Sequence, residues 1–166
     1  MFATTTFIPN EAMVLAAFEA WNASLAGVRD IAGLTWSLSL EVAAPGLFTR
    51  HANTNSLGLE GRSTETRAVV LLSQIWTNPA DDERVYAESA RLVDAVEASA
   101  RRLGVYDPYL YLNYAALWQD PIASYGEASG ERLRALRARV DPRGVFTKNV
   151  PGGFKIPSRE KQGPRA

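Results

Sequence analysis

Apolar and polar positions along the chain switch between two periods, and the switches mark its elements. Phe2 to Ile8 is Thr-rich and bounded by Pro9, which predicts a strand with one polar face. Asn10 then caps a helix in which Val14, Phe18, Trp21 and Leu25 recur at helical spacing and form an apolar stripe ending near Gly27. Leu34, Trp36, Leu38, Leu40 and Val42 alternate with Thr35, Ser37, Ser39 and Glu41, the pattern of a half-buried antiparallel strand. Pro45 to Arg67 lacks periodicity and is rich in Gly, Asn, Ser and Thr, so it is expected to be a long loop.

Ala68 to Thr77 is apolar on both faces and belongs at the centre of a sheet. Asn78-Pro79 opens a second helix, with Asp81, Asp82 and Glu83 in its first turn and Arg101 and Arg102 in its last, as the macrodipole favours. Its inner stripe is Val85, Leu92, Val96 and Leu103, and Gly104 stops it. Tyr109 to Tyr114 reads as another strand. Glu127 to Val140 reads as a third helix, with Leu133, Leu136 and Val140 facing inward and Pro142 preventing continuation. The order strand, helix, strand, strand, helix, strand, helix predicts an α+β fold: an antiparallel sheet of about four strands with helices on one face, ferredoxin-like in outline. One domain is expected over residues 1–154, followed by a disordered basic tail over 155–166.

Composition narrows the partners. Lys plus Arg equals Asp plus Glu at 18 each, so no net field attracts nucleic acid or an anionic membrane. No apolar run approaches the roughly 20 residues that cross a bilayer, and the N-terminus does not read as a secretory signal. With no cysteine, the chain forms neither a disulfide nor a thiolate metal site.

The densest chemistry is in Tyr109-Leu-Tyr111-Leu-Asn113-Tyr114. On a strand, Tyr109, Tyr111 and Asn113 would project from one face and Tyr114 from the other. A phenol with an ordinary pKa near 10 serves as a base only where a donor or a cation steadies its anion. The same tyrosines also suit cross-strand packing against Trp36 or Trp76. Gln74 shares its strand face with Val70, Leu72 and Trp76, where it would position a ligand or close a strand end. His51 is the single histidine and reads as a solvated loop residue. The acidic run at Asp81 reads as helix capping, so no metal site is expected.

Tyr111-x-Asn113-Tyr114, Ser124-Tyr125-Gly126-Glu127 and Asp141-Pro142-Arg143-Gly144-Val145-Phe146 together resemble the C-terminal part of berberine-bridge-type FAD-linked oxidoreductases. Asn55-Ser56-Leu57-Gly58 is similar to fungal members, and Ala115-Ala116 stands where many plant members have Arg-Asp. The resemblance implies a substrate domain whose open sheet face turns toward the flavin. It implies Tyr111 as the base that removes a substrate hydroxyl proton, Asn113 and Tyr114 on the cofactor side, and Tyr109, Trp36, Gln74 and Trp76 toward substrate. No stretch upstream resembles the family's flavin-binding domain. FAD would therefore not be held by this chain alone, and the cysteinyl flavin link of some members is impossible. The implied partners are a small organic substrate and either a flavin-bearing domain or a second copy through the open sheet face. Two other functions fit the same residues: a flavin-free isomerase or cyclase using Tyr111 for a proton, or an inactive truncated or self-associating binding domain.

Overall fold

A computed structural model describes residues 1–51, 54–60 and 65–157. The strands are β1 (Phe2–Phe7), β2 (Thr35–Ala43), β3 (Arg67–Ile75) and β4 (Tyr106–Asp107), and the helices are α1 (Glu11–Ser24), α2 (Pro45–Thr49), α3 (Asp82–Arg102), α4 (Pro121–Ser124), α5 (Glu127–Val140) and α6 (Val145–Lys148). The strands form one antiparallel sheet in the order β2-β3-β1-β4. With α1 and α3 as the two crossovers this is the ferredoxin-like βαββαβ arrangement, an α+β fold.

Cross-strand register sorts the side chains into two faces. Ala3, Leu72 and Leu38 form one row, and Thr5, Val70 and Leu40 the next, on the side covered by α1 and α3. Phe2, Ser73 and Ser37, then Thr4, Leu71 and Ser39, form rows on the opposite side. The main core is the first face: Ala3, Phe7, Ala68, Val70 and Leu72 meet Met13, Ala17, Val85, Leu92 and Val96.

Asn10 caps α1 as expected, its Oδ1 accepting from Met13 N at 2.8 Å. The buried stripe of α1 is nevertheless not the expected one. Met13 and Ala17 are buried, whereas Val14 and Phe18 are 40% and 55% exposed and Trp21 and Leu25 are half-buried. The small side chains Ala17 and Ala20 let α1 approach α3 closely, and that contact rotates the bulkier residues toward the sheet edge. On α3, Val85, Leu92 and Val96 are buried with Ser89, Val93 and Ala100, and Leu103 is 39% exposed because it lies past the last turn.

The expected strand from Tyr109 to Tyr114 is not formed. Pairing ends at Asp107 because Pro108 lacks a backbone donor, and Asp107 Oδ1 turns back to accept from Tyr109 N at 2.9 Å. Leu112–Tyr114 is a 3-10 turn closed by Tyr114 N donating to Tyr111 O. The loop expected from Pro45 contains α2, and part of it lies outside the described residues.

α5 spans the expected residues but buries Ser129 and Gly130, with Leu133 half-buried and Leu136 and Val140 exposed. It packs on α4 and on a second apolar cluster of Leu59, Tyr109 and Tyr125 rather than on the sheet. Asp141 stops α5 and caps α6, its two carboxylate oxygens accepting from Val145 N and Phe146 N, while the Phe146 ring is exposed. Of the expected disordered tail, Lys155 to Pro157 are described and held by Arg137 Nη1 donating to Ile156 O, and the rest lies outside the described residues.

Candidate functional site

The 3-10 turn brings three of the expected site residues together. Residues three apart on such a turn lie above one another, so Tyr111 and Tyr114 meet edge to face with ring centroids 4.9 Å apart. Asn113 Nδ2 donates to the Tyr111 hydroxyl oxygen at 2.8 Å. Tyr114 donates its own proton to Glu41 Oε1 at 2.8 Å, and its ring meets Phe2 at 6.0 Å. Glu41 and Phe2 lie on the sheet face not covered by α1 and α3, so the turn stands on that face. Asn113 is exposed and both tyrosines are half-buried.

The two phenols differ in their electrostatics. The Glu41 carboxylate, by accepting the Tyr114 proton, holds that phenol above its ordinary pKa, so Tyr114 stays a neutral donor. Tyr111 has the reverse geometry: its oxygen receives the Asn113 amide N–H. One phenol is thus arranged to give a hydrogen bond and its neighbour to receive one.

Tyr109 does not join this surface. It is buried and stacks on Tyr125 at 6.0 Å, where Leu59, Ile122 and Leu133 surround the pair and Tyr111 rests against them. Burial, followed by the proximity of Tyr111, pushes the Tyr125 phenol up. Ser124 Oγ accepts from Leu110 N at 3.0 Å and pins the same segment. The Ser124-Tyr125 motif is therefore the support on which Tyr111 rests.

Trp36, Gln74 and Trp76 are brought together elsewhere, on the helix side of the sheet. Trp36 is 8% exposed, and its indole donates to Ser24 Oγ at 2.9 Å while Trp21 donates to the Trp36 carbonyl. Trp76 donates to Asp82 Oδ1 and meets Tyr86 edge to face. Gln74 is fully buried, and neither polar atom of its side chain has a hydrogen-bond partner among the described residues. None of the three shares a surface with Tyr111.

Sequence reasoning missed Glu41, Phe2 and the Arg67–Asp107 pair. Asp107 Oδ2 accepts from Arg67 Nε at 2.7 Å, with both side chains more than nine-tenths buried, and so fixes the point where the tyrosine segment leaves the sheet. Asp107-Pro108 carried the signal for that turn. Nothing local marked Glu41, whose role depends on a partner 73 residues away. His51 is exposed, and no group of three or more metal-ligating side chains occurs among the described residues. No described helix is long and apolar enough to cross a membrane.

The structure is a ferredoxin-like α+β domain with a phenol and amide cluster on the sheet face opposite α1 and α3. Its relatives are fungal. The chain is 43% identical over 102 residues to the FAD-dependent monooxygenase drtC of Aspergillus calidoustus, covering 61% of this chain and 19% of that protein. It is 28% identical over 159 residues to the FAD-dependent monooxygenase CTB5 of Cercospora beticola, covering 94% of this chain and 30% of that one. A stretch of Oligopeptidase PhomG' of Diaporthe leptostromiformis is 41% identical over 154 residues, 92% of this chain but 13% of that protein. The chain thus spans less than a third of the length of each of these relatives. No protein-family profile and no solved structure matches it. Fungal proteins named FAD-dependent monooxygenases are thus among its homologues, each matched over part of its length.

Proposed function

We propose that this chain forms the substrate-side wall of an FAD-linked oxidoreductase of the berberine-bridge type, acting on a small organic metabolite that carries a hydroxyl group. The observation that carries this reading is the paired arrangement on the sheet face opposite α1 and α3, with Asn113 donating to Tyr111 while Tyr114 donates to Glu41. The names of the fungal relatives support it.

The described residues fit one part of FAD and not another. No glycine-rich turn joins a described strand to the helix that follows it, so nothing here cradles a pyrophosphate. The exposed edge of Tyr111, Asn113 and Tyr114 suits a flat ring system and a substrate lying between. A bound flavin would supply the hydride acceptor. The Tyr111 oxygen, which accepts from Asn113, is placed to receive the substrate hydroxyl as a hydrogen bond and to take its proton. The Asn113 N–H steadies the Tyr111 oxygen throughout, and Tyr114, its one proton given to Glu41, offers the substrate its oxygen as an acceptor. The pyrophosphate falls to another domain or polypeptide.

Titrating isotopically labelled chain with lumiflavin, and separately with FAD, tests this. Weak and equal amide shifts confined to Phe2, Glu41 and residues 111–114 are expected, because the ring alone is recognised. Shifts centred on Trp36 or Gln74, or a much tighter complex with FAD than with lumiflavin, would refute it.

A further inference from the structure

Three accessible aromatic rings meet beside the first turns of α3. Trp76, just after β3, stands at 85° to Tyr86 of α3, and Tyr86 stands at 77° to Trp118, with ring centroids 6.0 Å apart in both pairs. Tyr86 and Trp118 are 38% and 41% exposed and Trp76 is half-buried, so packing does not use up their surfaces. The Trp76 indole donates to Asp82 Oδ1 at 2.6 Å, which fixes that ring and sets a carboxylate at its edge. Asp82 and Tyr86 lie four apart on α3, hence on one face, and Glu83 lies about one turn before Tyr86. The protein's own cations in this part of the chain are engaged elsewhere. Arg84 holds Asp30 and the Gly27 carbonyl, Arg91 holds Glu88, and the Met1 ammonium donates to the Gln74 carbonyl.

We propose that Trp76, Tyr86 and Trp118 are three walls of a binding site for a small molecule bearing a methylated ammonium group, with Asp82 as its anionic rim. The face of an aromatic ring is electronegative. Perpendicular rings with centroids 6.0 Å apart that meet at a corner both face a point about 4 Å from each, inside the roughly 6 Å reach of a cation–π contact. A methylated ammonium presents apolar methyl groups to such walls and spreads its charge over them, so it needs no hydrogen-bond acceptor from the rings. A hard metal cation would require oxygen ligands that the rings do not offer. A neutral apolar guest would draw nothing from Asp82. A peptide carrying the same group has no strand to pair with here, because the sheet edge beside Trp118 is closed by Gln119, which occupies both Thr4 N and Thr4 O. The site is independent of the flavin reading, since Trp76 packs on the helix side of the sheet and the tyrosine turn stands on the other.

The 4 tryptophans give the site its own reporters and controls. Choline, its neutral isostere 3,3-dimethylbutan-1-ol and a trimethyl-lysine peptide are titrated into isotopically labelled chain at constant ionic strength, and the indole N–H signals are followed. Choline should shift Trp76 and Trp118 saturably and leave Trp21 and Trp36 in place. The isostere should bind at least about tenfold more weakly, because it lacks the charge, and the peptide should bind no more tightly than choline. Tyr86→Leu should abolish the choline shifts while the buried Trp36 signal stays where it was, showing an intact fold. Asp82→Asn keeps an acceptor for the Trp76 indole and removes the charge, so it should weaken choline severalfold. Leu117→Ala, next to Trp118 and 78% exposed, should bind as the unmodified chain does. No saturable shift with choline, shifts centred on Trp21 or Trp36, equal binding of the isostere, full binding by Tyr86→Leu, or tighter binding of the peptide would each overturn the proposal.

Discussion

The side-chain amide of Gln119 closes on the backbone of Thr4, 115 residues away, accepting from its N–H at 3.1 Å and donating to its C=O at 2.6 Å. Gln119 Oε1 also accepts from Ala116 N at 3.0 Å, so the side chain acts as one residue of a missing strand and locks the tyrosine segment to β1. Thr4 is fully buried, and loss of the amide would orphan both of its backbone groups. Gln119→Ala is expected to lower unfolding stability by about 2 to 4 kcal/mol, the cost of two buried unsatisfied groups. Urea denaturation checks it. A change within the noise would mean that the segment at 115–119 holds itself in place.

The Arg67–Asp107 pair sits where the same segment begins, and its geometry gives a second expectation. Both side chains are buried and Asp107 also accepts from Tyr109 N, so removing the carboxylate takes from the guanidinium its buried partner, leaving the contacts to Glu65, and leaves a backbone donor without that partner. Asp107→Ala should cost about 3 to 5 kcal/mol. Arg67→Met with Asp107→Leu should recover most of that loss in thermal or denaturant unfolding, since buried apolar pairs often equal buried ion pairs. A double variant no better than Asp107→Ala would show that the Tyr109 contact, rather than the charge, carries the site.

Much of the fold was legible because it rests on local signals. Asn10 and Gly104, the apolar run of β3 and the charge gradient of α3 each report on nearby backbone. What misled were competitions settled at long range. Val14 and Phe18 form a sound helical stripe, but Ala17 fits α3 better and the larger residues were turned outward. Tyr109 to Tyr114 has strand composition, yet no strand was free to receive it once Pro108 and Gln119 had ended the β1 edge. The resemblance singled out Tyr111, Asn113 and Tyr114, but Asn113 and Tyr114 were expected on opposite faces of a strand, and a 3-10 turn is what unites them. Glu41 was invisible because its neighbours in sequence say nothing of Tyr114.

Gly58, the last residue of the Asn55-Ser56-Leu57-Gly58 segment, has φ +68°, and a Cβ on it would lie 2.0 Å from the Tyr125 carbonyl oxygen. The chain passes Tyr125 at this point and then buries Leu59 against Tyr109 and Tyr125. Backbone atoms cannot yield as a side chain tip would, so Gly58→Ala should separate the loop from α4 and α5. Expected consequences are protease sensitivity near residue 58 and faster amide exchange across 109–125, with the sheet core unchanged. Gly46→Ala, with nothing within 4 Å, is the matched control and should behave as the unmodified chain. Equal behaviour of the two variants would remove the steric account of the motif.

Alkaline pH should weaken the domain through its tyrosines, with Tyr114 as the one that mutation can isolate. The hydrogen bond to Glu41 raises the Tyr114 pKa, and burial raises those of Tyr106 and Tyr125. A raised folded value means that the native state favours the protonated phenol. That contribution is fully present below the unfolded tyrosine value near 10 and is lost as pH rises through the higher folded values. Stability should therefore be level in this respect through neutral pH and fall above about 10. Glu41→Gln removes the charge while keeping an acceptor of the same shape, so Tyr114 should ionise at lower pH than in the unmodified chain, visible as an earlier rise in absorbance at the phenolate band. Because Glu41 also holds Tyr114 as a donor, the same variant should shift the Tyr114 amide while sparing Tyr109, which lies in the separate cluster with Tyr125. An unchanged phenolate titration would mean that the carboxylate does not govern Tyr114, and the division of labour between the two phenols would fail with it.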